Sequence, residues 1–375
     1  MKSKRILLIH PEGNISFNPN LNDIVKVLCG NGYEVDIISL KRNHHQIAPC
    51  PGARFIFNDV DINKKNCVSD VACIPEQLAY DLLIGVDRAG IVDAFVLSQV
   101  LNIPYGLISY EIFFESETNK IFKSIEREAC KRIAFAVCQD EVRAALLSKE
   151  NQITDAKIIR IPVAGKSVRR GMRQQYLHQK LGISLDKKIA FFAGSIDSWT
   201  MMDEIIKTVP SWPENWVLVL HERYGKTKER VQKLLNNQKL DHVYFSEDSI
   251  EQYDGLKDML FSIDLGIAFY QADNATIYTG KNIEYIGLAS GKISTYLQHG
   301  VPVITNEIGL FSDYIRDYNL GLVVKEVNDV PDKLASMNQV NYTDRCYNFF
   351  EDKLDLTKTI SPFLKVIDSL LTKPT

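Results

Sequence analysis

The chain alternates short apolar runs with segments whose apolar positions recur every three or four residues, nearly from end to end. RILLIH, VDIISL, ARFIFND, DLLIGVD, PYGLISYE, AFAVCQD and KIIRIPVA in the first half read as buried strands, as do KIAFFAGS, WVLVLHE, HVYFSED, LGIAFY, PVITN and GLVV in the second. Between the first two, LNDIVKVLCGNGY sets Leu21, Ile24, Val25 and Leu28 on one helical face and stops at Gly30 and Gly32. DEIIKTV, KERVQKLLNN, YDGLKDMLFSI and SGKISTYLQH supply helices in the second half. This alternation predicts an α/β protein with parallel sheets covered by helices on both faces.

At 375 residues the chain exceeds what one hydrophobic core usually serves, so two doubly wound domains are expected. GKSVRRGMRQQYLHQKLGISLDKK is polar and basic and reads as the connection between them. The expected parts are a first domain over 1–165, a linker over 166–187, a second domain over 188–352 and a terminal segment over 353–375. That last segment carries Phe363, Leu364, Ile367, Leu370 and Leu371 at helical spacing, a stripe that must be buried on something.

Composition narrows the class. Apolar residues make up 45% and charged residues 24%, and no stretch is long and apolar enough to span a bilayer. The opening MKSKRILLIH places a basic end before an apolar run, but His10, Pro11 and Glu12 cut that run too short for a signal peptide. Seven scattered cysteines without a CxxC pair point to a reducing compartment and to neither a disulfide frame nor a zinc site, so a cytoplasmic protein is expected. A net charge of −3 gives no reason to expect nucleic acid. Arg169, Arg170 and Arg173 in the linker offer peripheral contact with an anionic membrane at its inner face, against the plainer reading of a solvated connector.

One stretch carries candidate chemistry. In IGLASGKISTYLQHGVPVI, Ser290 stands as an N-cap, Gly291 and Lys292 open a helix running to about His299, and Gly300 takes the place of a left-handed C-cap. The first N–H groups of such a helix have no intrahelical partner, and its positive end favours a phosphate. Lys292 adds a full charge, and Gly291 lets a ligand approach the backbone. An ordinary capped helix is the alternative.

The segment SGKISTYLQHGVPVITN, preceded by SIDLGIAFY and followed by GLFSDYIRDYNLGLVV, resembles the donor-binding half of GT-B glycosyltransferases, family-4-like enzymes in particular. FFAGSI, IIRIPVAG and the terminal helix extend the resemblance loosely over the whole chain. It implies two Rossmann-like domains facing across a cleft, with the C-terminal helix crossing back to the first domain. It also implies transfer of a sugar from a nucleotide-diphosphate donor in the second domain to a saccharide or lipid-linked saccharide acceptor in the first, as in polysaccharide biosynthesis. Ser290, Gly291 and Lys292 are then diphosphate ligands, and Gly194 and Ser195 match the first glycine-containing turn of the donor domain, or else form a plain turn. Many family-4 enzymes carry two glutamates here, eight positions apart, where this chain has Gly287 and Thr295; Thr295 is left as the candidate for the ribose.

Further candidates stand at strand ends. Arg223 suits a diphosphate, beside His221 and Glu222, while Tyr244 with Phe245 suits the base; solvation and sheet packing explain them as well. Asp87 in GVDRAG is a candidate acceptor of the substrate's proton, or the N-cap of the following helix. Glu111 is a second catalytic candidate, and His10 and Glu12 are candidates for the acceptor. No cofactor and no obligatory metal are expected, since no His, Asp and Glu cluster has ligand spacing. A nucleotide-sugar-binding protein without catalysis and a nucleotide-sugar epimerase of the same fold remain as alternatives. A P-loop is excluded because Gly287 and Gly291 enclose three residues and Ile293 follows Lys292, and a Rossmann dehydrogenase because no GxGxxG follows the first strand.

Overall fold

Each of the thirteen apolar runs holds a strand in the computed structural model, which describes residues 4–11, 15, 18–40, 50–58, 79–221, 227–235, 240–246, 256–337 and 342–372. The chain divides into two units, Met1–Lys166 with Leu356–Thr375, and Ser167–Asp355.

The first unit runs β1 (Arg5–His10), α1 (Pro19–Gly30), β2 (Glu34–Leu40), β3 (Ala53–Asn58), β4 (Leu82–Val86), α2 (Asp87–Leu101), β5 (Tyr105–Ile108), α3 (Lys120–Cys130), β6 (Ala136–Cys138), α4 (Glu141–Asn151) and β7 (Ile158–Arg160). Asn18 caps α1 by accepting the Leu21 N–H at 3.0 Å, with Pro19 preset for the first turn. The strands form one parallel sheet in the order β3-β2-β1-β4-β5-β6-β7. Strand order therefore reverses between β1 and β4, the place where doubly wound sheets hold ligands beyond their carboxyl ends. His10 ends β1 and Asp87 follows β4, so both stand at that switch point.

The second unit has β8 (Lys188–Ala193), β9 (Trp216–His221), β10 (Val243–Ser246), β11 (Leu265–Ile267), β12 (Val303–Thr305) and β13 (Gly321–Val323). They form a second parallel sheet, ordered β10-β9-β8-β11-β12-β13, whose switch point lies between β8 and β11. The last helix, Ser361–Thr372, returns to the first unit. Its Phe363 and Ile367 are fully buried among Ile24, Val25 and Phe135 of that unit's core.

The basic connection is not a free linker. Arg170 donates to Glu351 at 3.0 Å and Asn348 at 2.6 Å and lies over the Tyr347 ring, while Arg173 is paired with Asp264. A short helix, Tyr176–Leu181, buries Leu177 completely. Arg170 and Arg173, read from the sequence as candidate membrane contacts, are thus each paired with a carboxylate of the second unit. Among the described residues no helix is long and apolar enough to cross a membrane.

Candidate active site

In the second unit the site is built at the β8/β11 switch point. β8 is followed by Gly194, whose φ of 134° lies where a side chain is strained. The helix Gly291–Gln298 is held over the sheet by Tyr296, whose ring occupies the space a Cβ on Gly266 would fill and whose hydroxyl donates to the Phe191 carbonyl at 3.1 Å. Ser290 caps that helix, its Oγ accepting the Ile293 N–H at 3.4 Å and meeting the Tyr270 hydroxyl at 2.7 Å. Gly300 follows with φ 72°, as its place in the sequence predicts.

Lys292 reaches from the first turn of this helix to the Gly194 turn. A Cβ built on Gly194 would lie 3.5 Å from the Lys292 Nζ. The ammonium stands 3.7 Å from the centre of the Phe192 ring and 5.7 Å from that of Tyr270, so two aromatic faces attract it. The residue is half-buried, and desolvation, with no carboxylate in compensation among the described residues, pushes its pKa down to about 7. Trp199 stacks on Tyr270 with ring centres 6.1 Å apart and completes the aromatic floor. Gly194, Ser290, Gly291 and Lys292 are therefore brought together, and Ser195 follows in the same turn.

Other candidates stand elsewhere or are already engaged. The Thr295 hydroxyl donates to the Gly291 carbonyl one turn back at 2.8 Å. Tyr244 and Phe245 lie on the edge strand β10, separated from β8 by β9. His221 is buried, its Nδ1 3.0 Å from the Ser246 Oγ and its ring stacked on Phe191. Arg223 and Glu222, like Glu12 in the first unit, lie outside the described residues.

In the first unit the carboxyl ends of β4, β5 and β6 carry a polar cluster. Gly85 and Gly90 let the start of α2 press on the sheet, since a Cβ on Gly90 would stand 2.3 Å from the Ile9 carbonyl oxygen. Asp87 makes the turn between them at φ 54°. It is not an N-cap: α2 begins at Asp87 itself, and its Oδ1 instead accepts the backbone N–H groups of Tyr110 at 2.6 Å and Glu111 at 2.9 Å. Arg143, buried, donates to the Tyr110 carbonyl and to the Gln139 Oε1, both at 2.6 Å. The Tyr110 hydroxyl donates to Asn20 at 2.8 Å, and Asn20 in turn donates to the Ala164 carbonyl at 2.8 Å.

Glu111 sits inside this framework with its pKa pushed up to about 8. Burial is the main cause and the Asp87 charge adds to it, while Arg143 opposes both. His10 stands at the neighbouring strand end, half-buried. Among the described residues no group of three or more His, Cys, Asp or Glu stands together to hold a metal ion.

The sequence reading missed Phe192, Tyr270 and Trp199. Phe192 and Tyr270 read as sheet core, and the available signal was Tyr270, a polar-tipped ring at a strand end where a hydroxyl needs a partner.

Comparison with known proteins gives this arrangement a context. A family model described as Glucosyltransferase 3-like, C-terminal domain, matches residues 220–356. No curated protein sequence matches the chain. Among solved structures, a sucrose-phosphate synthase from Thermosynechococcus elongatus is similar with a TM-score of 0.73 and 13% identity, over 98% of this chain and 99% of that one. Anabaena HepE, in complex with UDP and glucose, is similar with a TM-score of 0.70 and 11% identity, over 98% and 100%. WaaG, a glycosyltransferase involved in lipopolysaccharide biosynthesis, gives a TM-score of 0.67 and 15% identity, again over 98% and 100%. These likenesses establish the fold: two parallel α/β units in the GT-B arrangement, with the terminal helix returning to the first.

Proposed function

We propose that this protein is a glycosyltransferase that moves a sugar from a nucleotide-diphosphate donor to the hydroxyl of a saccharide or lipid-linked saccharide acceptor. The observation that carries the reading is the Lys292 ammonium held at the Gly194 turn beside the N-terminal end of its own helix. Breaking the glycosyl phosphate bond builds negative charge on the leaving diphosphate, and fixed donors aimed there stabilise the transition state more than the ground state. A diphosphate beside Lys292 also supplies the counter-charge that the site lacks, restoring the protonated form. The lysine and the helix end then take the part a divalent metal plays elsewhere, so no obligatory metal is assigned.

In the first unit Glu111 is assigned as the proton acceptor and Asp87 as its positioning residue. The acceptor oxygen attacks the anomeric carbon, the bond to the diphosphate breaks with its electron pair leaving on the phosphate oxygen, and the acceptor's proton passes to Glu111. Asp87 is less suited to take that proton, because two N–H groups already stabilise its ionised form. Arg143 and Asn20 hold the framework and bind no substrate in this scheme.

One observation favours a second reading, a nucleotide-sugar-binding protein without turnover: the Thr295 hydroxyl already donates inside its own helix, and a hydroxyl holds a ribose less strongly than a carboxylate does. A panel of UDP-, GDP-, ADP- and CMP-sugars separates the two. The enzyme hydrolyses or transfers at least one donor, insensitively to chelator, and loses this with Lys292→Ala. Tight binding without turnover under every acceptor supports the binder, and no nucleotide-dependent rise in melting temperature overturns both.

A further inference from the structure

Helix α3 is inside out. Its Lys123 is 0% and its Glu126 2% exposed, whereas Ile121 is 68%, Phe122 51% and Ile125 45% exposed. At 100° per residue Ile121 and Ile125 share the outward face and Phe122 flanks it. The inward charges are fully engaged. Lys123 pairs with Glu126 at 3.1 Å and donates to Asn151, whose own amide donates to the second Glu126 oxygen at 2.8 Å and toward the Cys130 sulfur at 3.7 Å. Turning α3 to bury its isoleucines would strip this network of its partners, so the outward apolar face is fixed by the fold.

We propose that this face docks the protein on an anionic lipid surface. Three partly exposed side chains present a few hundred Å², against the roughly 800 Å² per partner that a stable protein interface buries. A second copy or a protein partner is therefore poorly served, whereas a lipid interface needs only a few apolar side chains with cations beside them. Those cations are present. Exposed Lys120 opens the helix, and exposed Lys131 and Arg132 follow its end, Lys131 meeting the exposed Glu128 at 2.5 Å.

The face also adjoins the Glu111 cluster. The Arg88 guanidinium, next in sequence to Asp87, lies 4.0 Å from the Phe113 ring centre and 5.7 Å from that of Phe122. A membrane seated on Ile121 and Phe122 lies beside the loop that carries Glu111. This location deepens the proposed reaction by favouring an acceptor anchored in lipid, and it rests on that reading only for its purpose, not for the docking itself.

The test is co-sedimentation of the full chain with phosphatidylcholine vesicles with and without phosphatidylglycerol, in the absence of any nucleotide sugar. The wild type is expected to pellet with the anionic vesicles, less so in high salt, and Ile121→Ser/Ile125→Ser to lose at least tenfold in binding with an unchanged melting temperature. A wild type that stays in the supernatant, or a double variant that pellets equally, overturns the proposal. So does a concentration-dependent dimer, seen by light scattering, that the double variant dissolves. Donor turnover measured in parallel keeps the two ideas apart, since it survives a failure of docking alone.

Discussion

The Lys292 ammonium rests on the face of Phe192, 3.7 Å from the ring centre, with no carboxylate paired to it among the described contacts. Folding lowers its pKa from 10.5 to about 7, so between those values the unfolded chain binds the extra proton. Stability therefore rises with pH across that window, and the cost of the buried charge is fully present below about pH 7. Lys292→Met should raise stability by ~1 kcal/mol at pH 6, the residue as a whole being only half-buried, and by progressively less toward pH 10. The same variant should lose the nucleotide-induced rise in melting temperature. Urea unfolding at the two pH values, with and without nucleoside diphosphate, checks both; a variant less stable than wild type at pH 6 removes the argument.

Affinity for the donor should carry the same titration. Because only the protonated lysine attracts the diphosphate, binding at pH 8 must take up a proton, and affinity should fall up to tenfold per pH unit above about 7. Calorimetric titration in two buffers of different ionisation heat measures that uptake directly. Zero uptake at pH 8 means the ammonium does not meet the phosphate.

Glu111 titrates in the opposite sense. Its pKa rises from 4.5 to about 8 on folding, so turnover that needs the carboxylate should climb with pH and level off near 8. Glu111→Gln should reduce turnover by ~10² or more while leaving nucleotide binding intact. Between pH 4.5 and 8 the folded state binds the extra proton, so stability due to this group falls as pH rises. The glutamine variant should therefore be the more stable protein at pH 9 and gain nothing at pH 4. Asp87→Asn keeps an acceptor for the Tyr110 and Glu111 N–H groups but removes a charge that raises the Glu111 pKa, so its pH profile should shift to lower pH. An unshifted profile would leave Asp87 with a structural part only.

These residues show where the sequence was readable. Periodicity alone located the strands, because a strand buried on both faces by parallel packing must be apolar throughout. The Lys292 segment was readable because capping serine, glycine and cation are adjacent in sequence. Long-range pairings were not: Arg170 finds Glu351, and Arg173 finds Asp264, across separations of 181 and 91 residues that no local pattern encodes. Asp87 was half-readable. Its strand-end position was evident, but its φ of 54° and its grip on the β5 loop follow from how closely Gly85 and Gly90 let α2 approach, a property of the packed state.

The terminal helix makes the last prediction. Phe363 is 0% exposed and meets Phe135 edge-on, with ring centres 5.3 Å apart and planes at 78°, and Tyr33 donates to Asp368 further along the same helix. The helix thus supplies Phe363, Ile367 and Leu371 to a core that otherwise draws on residues from Ile6 to Ile161 and on Leu356 and Ile360. Phe363→Ala should destabilise by ~3–5 kcal/mol through lost burial and the cavity left behind. The loss should fall on the first unit, so the Lys292 half-site should still bind nucleoside diphosphate at a temperature where acceptor-dependent turnover has gone. Denaturant unfolding and nucleotide titration of the same variant measure the two effects. A change below ~1 kcal/mol would mean that this helix covers the first unit without completing it.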